Sequence, residues 1–317
     1  MSTALFLVPI GVLAVVWSLC FAGCVLNTHG TGLPYSNLVL QDPSLVVAYW
    51  PLSDLQVATQ AFDLSGNGHT GTYTIPPAYP SGAQAVQFSQ PIANPSLQLQ
   101  QGSLVPGDAG GVSVGNKNLI AASVDFEGGY VSIPWSTQSA PKLDQFTFEA
   151  WILPKWTGGN FWWVVFSAFI NNTGFRLFIN DQNHWEVVIG TGPGNMTKAI
   201  DTMVPIDPTS TTPTYVAVTC DLNGVFSLWI NPLSDTNTPP PANWSSGSPT
   251  NYVAADPSQL TAIFIAAGAN DQPLRTPTMN PMGAPLYPFQ GQMQSVALYN
   301  VALSNTDIET HFINGSG

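Results

Sequence analysis

Apolar and polar residues alternate with a period of two along two short runs, VDFEGGYVSIPW at 124–135 and FTFEAWI at 146–152. In the second, Phe146, Phe148, Ala150 and Ile152 point one way and Thr147, Glu149 and Trp151 the other. That is the pattern of a strand with one face on a core. The polar stretch between the runs, holding Pro134 and Pro141, predicts a connection. Downstream, YVAVTCD (215–221) and VFSLWIN (225–231) predict two strands joined by Leu222-Asn223-Gly224, whose Asn-Gly step signals a hairpin. The run FQGQMQSVALYNVALSNTDIETHF at 289–312 predicts a strand, a Leu-Ser turn and one brief helical turn. Val46–Trp50 predicts the first strand, with Trp50 and Leu52 capping the core. No repeat of fixed period appears, which argues against solenoids and propellers.

Composition fits many short strands. The chain is 44% apolar and 8% charged, and 28 Gly and 28 Pro punctuate it, so it is not a disordered sequence. Its net charge is −12, with six Lys+Arg and no basic cluster. That balance excludes a nucleic-acid surface and docking on anionic lipid through charge.

Together with YWPLSD at 49–54 and DLSGNGHTGTY at 63–73, these runs, in this order, resemble the laminin-G-like (concanavalin A-like) jelly-roll domains of bacterial surfaces. The resemblance spans roughly residues 46–314. It implies an all-β, two-sheet antiparallel jelly-roll sandwich, preceded here by an N-terminal apolar helix. Residues 1–27 are then an anchor or signal segment, 28–45 a linker and 46–317 the jelly-roll domain. The Pro-, Gln- and Gly-rich stretch at 74–118 and the Pro-rich stretch at 231–252 are expected as insertions, 74–118 draped over the sandwich.

The N-terminal run 4–26, ALFLVPIGVLAVVWSLCFAGCVL, carries no charge. At ~1.5 Å per residue it spans about 34 Å, enough to cross a bilayer core of about 30 Å. Three readings stay open: a retained membrane helix, a cleaved signal, and a lipoprotein signal ending at Cys24. In a retained helix Ala14, Ser18 and Ala22 recur every fourth residue, the spacing that lets membrane helices approach closely. Outside this run Cys220 is alone, so no disulfide staples the sandwich and it must be held by burial.

Site chemistry is sparse. The chain has four glutamates, Glu127, Glu149, Glu186 and Glu309, and no Glu-x-Asp-x-x-Glu run of the kind glycanases of this fold carry. Catalysis is not expected. His29, His69, His184 and His311 are scattered, without zinc-ligand spacing. The resemblance implies a Ca²⁺ site near the first turn, with Asp63 and Asn67 as oxygen donors and Gln294 where relatives place an aspartate. The alternative is that Asp63 and Asn67 simply close a turn. For a glycan, aromatic residues in loops are the candidates: Trp156, Phe161 and Trp244. Trp162 and Trp163 are expected to point to opposite faces of one sheet. Sequons stand at Asn171, Asn195, Asn243 and Asn314.

Two functions remain. The first is a non-catalytic, membrane-tethered subunit of a surface assembly, with protein partners or self-assembly. The second is a lectin-like module holding a glycan, with Ca²⁺ as its possible cofactor. They differ in whether 74–118 and 231–252 reach away from their own domain or pack on it.

Overall fold

The computed structural model describes residues 34–77, 92–108, 112–114, 117–135, 140–155, 161–192, 194–232, 242–268 and 286–317. The described elements begin with α1 (Tyr35–Val39), followed by β1 (Val46–Trp50), β2 (Gln60–Ala61), β3 (Gly71–Thr74), β4 (Ser96–Gln101), β5 (Val112–Val114) and β6 (Lys117–Leu119). Next come β7 (Ser123–Glu127), β8 (Tyr130–Pro134), β9 (Phe146–Pro154), β10 (Trp163–Ile170), β11 (Thr173–Ile179) and β12 (His184–Gly190). The rest are β13 (Met196–Pro205), β14 (Thr214–Cys220), β15 (Phe226–Ile230), β16 (Ala242–Ser245), β17 (Ala262–Ile265), β18 (Gln290–Tyr299) and α2 (Asn305–Ser316).

Two antiparallel sheets form a sandwich. The first runs β16-β15-β14-β9-β18-β7-β4, with β1 on β18 beyond the end of β7, and the second runs β13-β12-β11-β10-β17-β8-β3-β2. The ten-residue β18 holds β9 along one side, while β7 and β1 share the other. Inward residues of both sheets make the main core. Phe146 stacks on Phe175 with centroids 4.0 Å apart, and Phe148 meets Phe166 at 4.6 Å. Trp50, Trp163 and Trp185 are buried in the same cluster.

The alternation in β9 holds, but both of its faces are buried. Phe146, Phe148, Ala150 and Ile152 enter the main core, while Trp151 and Leu153 enter a second apolar layer with Tyr35, Tyr215, Tyr299, Ile308 and Phe312. Helices α1 and α2 supply the cover. The segment expected as linker thus carries a helix whose Tyr35 is fully buried, and the single turn expected at the C-terminus is a twelve-residue helix. Its N-terminus is closed by a reciprocal capping box between Ser304 and Asp307, which satisfies otherwise orphaned N–H groups.

The two expected insertions contribute structure as well. Within 74–118, β4 pairs with β7; within 231–252, β16 pairs with β15. Both are the outermost strands of the first sheet. The hairpin at 220–226 forms as predicted: Gly224 has φ +73°, and Asp221 accepts from the N–H groups of Asn223 and Val225. Cys220 lies in the main core, its thiol pushed up to about 12 by burial and by Asp221 and Asp144.

Candidate functional site

The second sheet turns its outer face to a groove of about 160 Å³ lined by Trp162, Arg176, Phe178, Glu186, Val188, Met196, Thr197, Lys198 and Tyr287. Strand register explains the lining. Val164, Phe178, Glu186 and Asp201 stand opposite one another in one cross-strand row, and Ser167, Arg176, Val188 and Lys198 in the next. Trp163 is buried in the core, so its neighbour Trp162 turns outward, as the alternation requires.

Three aromatic rings form one wall. Trp162 stacks on Phe178 at 5.4 Å and an interplanar angle of 18°, and meets Tyr287 at 5.7 Å. The indole N–H of Trp162 donates to Asp181 Oδ1 at 3.3 Å. Tyr287 adopts φ +56°, uncommon for a residue with a side chain, and Val164 N–H fixes it by donating to its carbonyl at 2.9 Å.

The neighbouring side of the groove is charged. Lys198 Nζ lies 3.0 Å from Glu186 Oε2 and 2.8 Å from Asp201 Oδ2. Asn180 Nδ2 also donates to Glu186 Oε2, at 2.8 Å, and His184 Nδ1 lies 3.0 Å from Asp201 Oδ1. Partial burial opposes the charge on Lys198, but the hydrogen bonds to Asp201 and Glu186 outweigh it and hold the ammonium above its ordinary value. Asp201 shows the converse: burial would raise it, yet Lys198 and the Met203 N–H bring it below the usual carboxylate range.

A bulge makes this wall possible. Val188 pairs with Lys198 and Val187 with Ile200, so one residue of β13 is skipped. In a regular strand Lys198 and Asp201, three apart, would point to opposite faces; the extra residue returns both to the groove side. Glu186 and Asp201 face each other directly, an unfavourable pairing that Lys198 neutralises.

The residues expected to carry the chemistry lie elsewhere. Trp156 is outside the described residues. Phe161 is half-buried against the main core and meets Trp163 edge-on at 6.3 Å. Trp244, on β16, pairs with Leu228 of β15 and also packs half-buried against the core. Neither lines the groove, because each turns its ring to available apolar surface. The groove residues Lys198, Glu186 and Tyr287 left no mark in the sequence that sets them apart; only Trp162 belonged to a visible aromatic cluster.

Asp63 and Asn67 do meet in one turn. Asp63 Oδ1 accepts from the N–H groups of Tyr49 and Ser65 at 3.1 and 2.9 Å, and Oδ2 from His69 at 2.9 Å. Asn67 uses its Nδ2 to donate to the Val46 and Val47 carbonyls at 2.8 and 3.1 Å. Gln294 is engaged elsewhere, its Oε1 accepting from Leu104 N–H at 2.6 Å and Ser103 Oγ at 3.2 Å. Among the described residues no group of three acidic, His or Cys side chains has the geometry of a metal site.

Glu149 is sealed under the helices. Its Oε1 accepts from Tyr35 and Tyr299 hydroxyls at 3.0 and 2.7 Å, and its Oε2 from Tyr215 at 2.5 Å. Of the sequons, Asn171, Asn195 and Asn243 are exposed, whereas Asn314 is buried in α2 and donates to the Thr310 carbonyl at 2.7 Å. Ala14, Ser18, Ala22 and Cys24 lie outside the described residues, and among the described residues no helix is long and apolar enough to cross a membrane.

No protein-family model matches the chain, and no curated protein matches it. Among solved structures it is similar to the binding domain of botulinum neurotoxin DC in complex with a sialyl ligand (11% identity, TM-score 0.46, 85% of this chain and 50% of that one). It is similar also to the botulinum neurotoxin serotype D ligand binding domain in complex with N-acetylneuraminic acid (12%, TM-score 0.48, 87% and 52%). A third is domain 4 of AbnA, a GH43 extracellular arabinanase from Geobacillus stearothermophilus, in complex with arabinotriose (14%, TM-score 0.47, 84% and 98%). The chain spans about half the length of the toxin domains it matches. At these identities and TM-scores the likeness does not identify a ligand for this chain.

Proposed function

We propose that this chain is a non-catalytic, jelly-roll carbohydrate-binding module that holds a sugar ring in the groove of its second sheet. One observation carries the reading: the groove is lined by the aromatic rings of Trp162, Phe178 and Tyr287 together with the ion pair of Lys198 and Glu186, which Asp201 braces from beside it. A sugar ring has an apolar C–H face and a rim of hydroxyls. The aromatic rings suit the first and the Lys198–Glu186 pair the second, the usual division of labour in a small-molecule site. At about 160 Å³ the groove is below the ~300–1,000 Å³ of sites for drug-sized ligands, which suits one ring at a time.

The charged wall supports binding rather than hydrolysis. Glycoside hydrolysis needs one carboxyl group kept protonated as general acid. Here Lys198 bridges Glu186 and Asp201, and Asp201 is held ionised. The reading of a scaffold subunit has less support, because one strand of each expansion, β4 and β16, folds back as an edge strand of the first sheet, while β5 and β6 pair with each other. We place the module outside the cytoplasm, where the apolar run 4–26 would deliver or tether it. The test is retention on a panel of immobilised polysaccharides, with Trp162→Ala as the control; no retention on any member, or equal retention by the variant, sinks the reading.

A further inference from the structure

We infer that the groove selects a neutral sugar over a charged one, with Lys198 and Glu186 as the pair that reads its hydroxyls. This rests on the sugar-binding reading above and adds the class of ligand. The groove's lining carries Arg176 and Lys198 against Glu186, and Asp201, paired with Lys198 from just beyond the lining, brings the formal charges to balance. An anionic sugar would need a cation to spare, and neither is available on the right terms. The Lys198 ammonium sits between two carboxylates at 3.0 and 2.8 Å, so a uronate approaching it meets Glu186 and Asp201 at almost the same distance. The Arg176 guanidinium is buried, holds Ser167 Oγ at 3.2 Å and lies 4.2 Å over the Phe169 ring. The chain as a whole carries −12, which adds long-range repulsion.

A cation fares no better. Three aromatic rings beside a carboxylate would suit a quaternary ammonium group. Lys198 already occupies that carboxylate, and Arg176 places a second positive charge at the same groove. What the wall does offer is donors and acceptors side by side. A hydroxyl is both, so it accepts from the Lys198 ammonium while donating to the Glu186 carboxylate. The Lys198 side chain is 49% exposed, so it reaches a ligand without leaving its partners.

The inference is tested by affinity electrophoresis and titration calorimetry with arabinan, galactan and xylan as neutral probes, polygalacturonate as the uronate and choline as the cation. Wild type is expected to bind at least one neutral polymer, with affinity nearly independent of salt, and neither charged probe. Lys198→Met should weaken the neutral polymer by roughly 10- to 100-fold, as expected for a lost hydrogen bond to a charged group, with Lys198→Arg recovering part of it. Glu186→Gln should weaken it similarly and, by leaving positive charge in excess, admit polygalacturonate. Thermal melts of the variants confirm folding, since both positions face the groove. Binding of polygalacturonate or choline by wild type as tight as any neutral polymer, or no effect of Lys198→Met, overturns the selectivity while leaving sugar binding in place. Absence of binding to every polymer removes both.

Discussion

Glu149 and His311 lie 162 residues apart in sequence and meet at 2.9 Å beneath α2, with the carboxylate fully buried. The fit has a simple origin. On the strands flanking β9, Ala217 and Ala297 stand opposite Glu149, and these small side chains leave room for three tyrosine hydroxyls and one imidazole above it. Every partner is a donor, so the buried charge is satisfied, and the pair ties the terminal helix to the centre of the first sheet.

Breaking that pair is expected to be costly. Glu149→Ala or His311→Ala leaves a partner buried without its counter-charge, which typically costs about 3–5 kcal/mol. Urea unfolding followed by tryptophan fluorescence measures this. A loss below about 1 kcal/mol would mean that water enters under α2 and solvates the remaining group.

The same pair sets a pH window. Burial alone would raise Glu149, but the charge and hydrogen bond of His311 and the Tyr215 and Tyr299 hydroxyls bring it below its ordinary 4.5. Burial alone would lower His311, but Glu149 brings it above 6.5. The depressed carboxylate contributes stability above 4.5 that is lost as pH falls through its folded value. The raised imidazole contributes stability below 6.5 that is lost as pH rises through its folded value. Unfolding free energy from this pair should therefore peak between about 4.5 and 6.5, and His311→Gln should flatten the alkaline side of that peak.

Helix α2 also depends on one close approach. A Cβ placed on Gly315 would lie 2.3 Å from the Trp151 ring, inside the second apolar layer. Gly315→Ala is expected to push the end of α2 off the sheet at a cost of about 1–3 kcal/mol, the range for overpacking. Hydrogen exchange should show 305–316 opening before the strands; unchanged protection there would refute the contact.

The aromatic residues should separate into two classes. Trp162→Ala is expected to abolish sugar retention with a modest loss of stability. Phe161→Ala and Trp244→Ala, whose rings are half-buried against the core, should instead cost about 1–3 kcal/mol, less than the ~3–5 of a fully buried ring, and leave retention intact. Parallel melts and pull-downs on one polysaccharide decide this, and loss of binding in Trp244→Ala with an unchanged melt would move the site to β16.

Chelation is expected to leave the melting temperature unchanged. The Asp63 carboxylate already accepts three backbone N–H groups, and the Asn67 amide turns its nitrogen to the Val46 and Val47 carbonyls. A Tm that falls in excess chelator and returns with Ca²⁺ would restore the cation, because a ligand bound only to the folded state stabilises it by mass action.

Local pattern determined several strands of this protein, β7, β8, β9, β14 and β15 among them, and the facing of side chains along them, but not β4 or β16 in the expected insertions. The alternation in β9, the Asn-Gly hairpin at 223–224 and the opposite facing of Trp162 and Trp163 are all set by a two-residue period and turn chemistry that neighbours in the chain impose. Tertiary structure decided what each face met. Glu149 read as the outward residue of a half-exposed strand, and only the arrival of α1 and α2, from both ends of the sequence, buried it. The loop aromatics Phe161 and Trp244 found core, since apolar surface within reach is covered whatever the loop's composition. The groove was the least legible feature. Its charged wall depends on a bulge in β13 that brings Lys198 and Asp201 to one face, and its aromatic wall on Tyr287 arriving from a segment more than a hundred residues downstream of Phe178. Neither a bulge nor a long-range pairing is encoded in any local run, because each is the outcome of strands competing for register across the whole sheet.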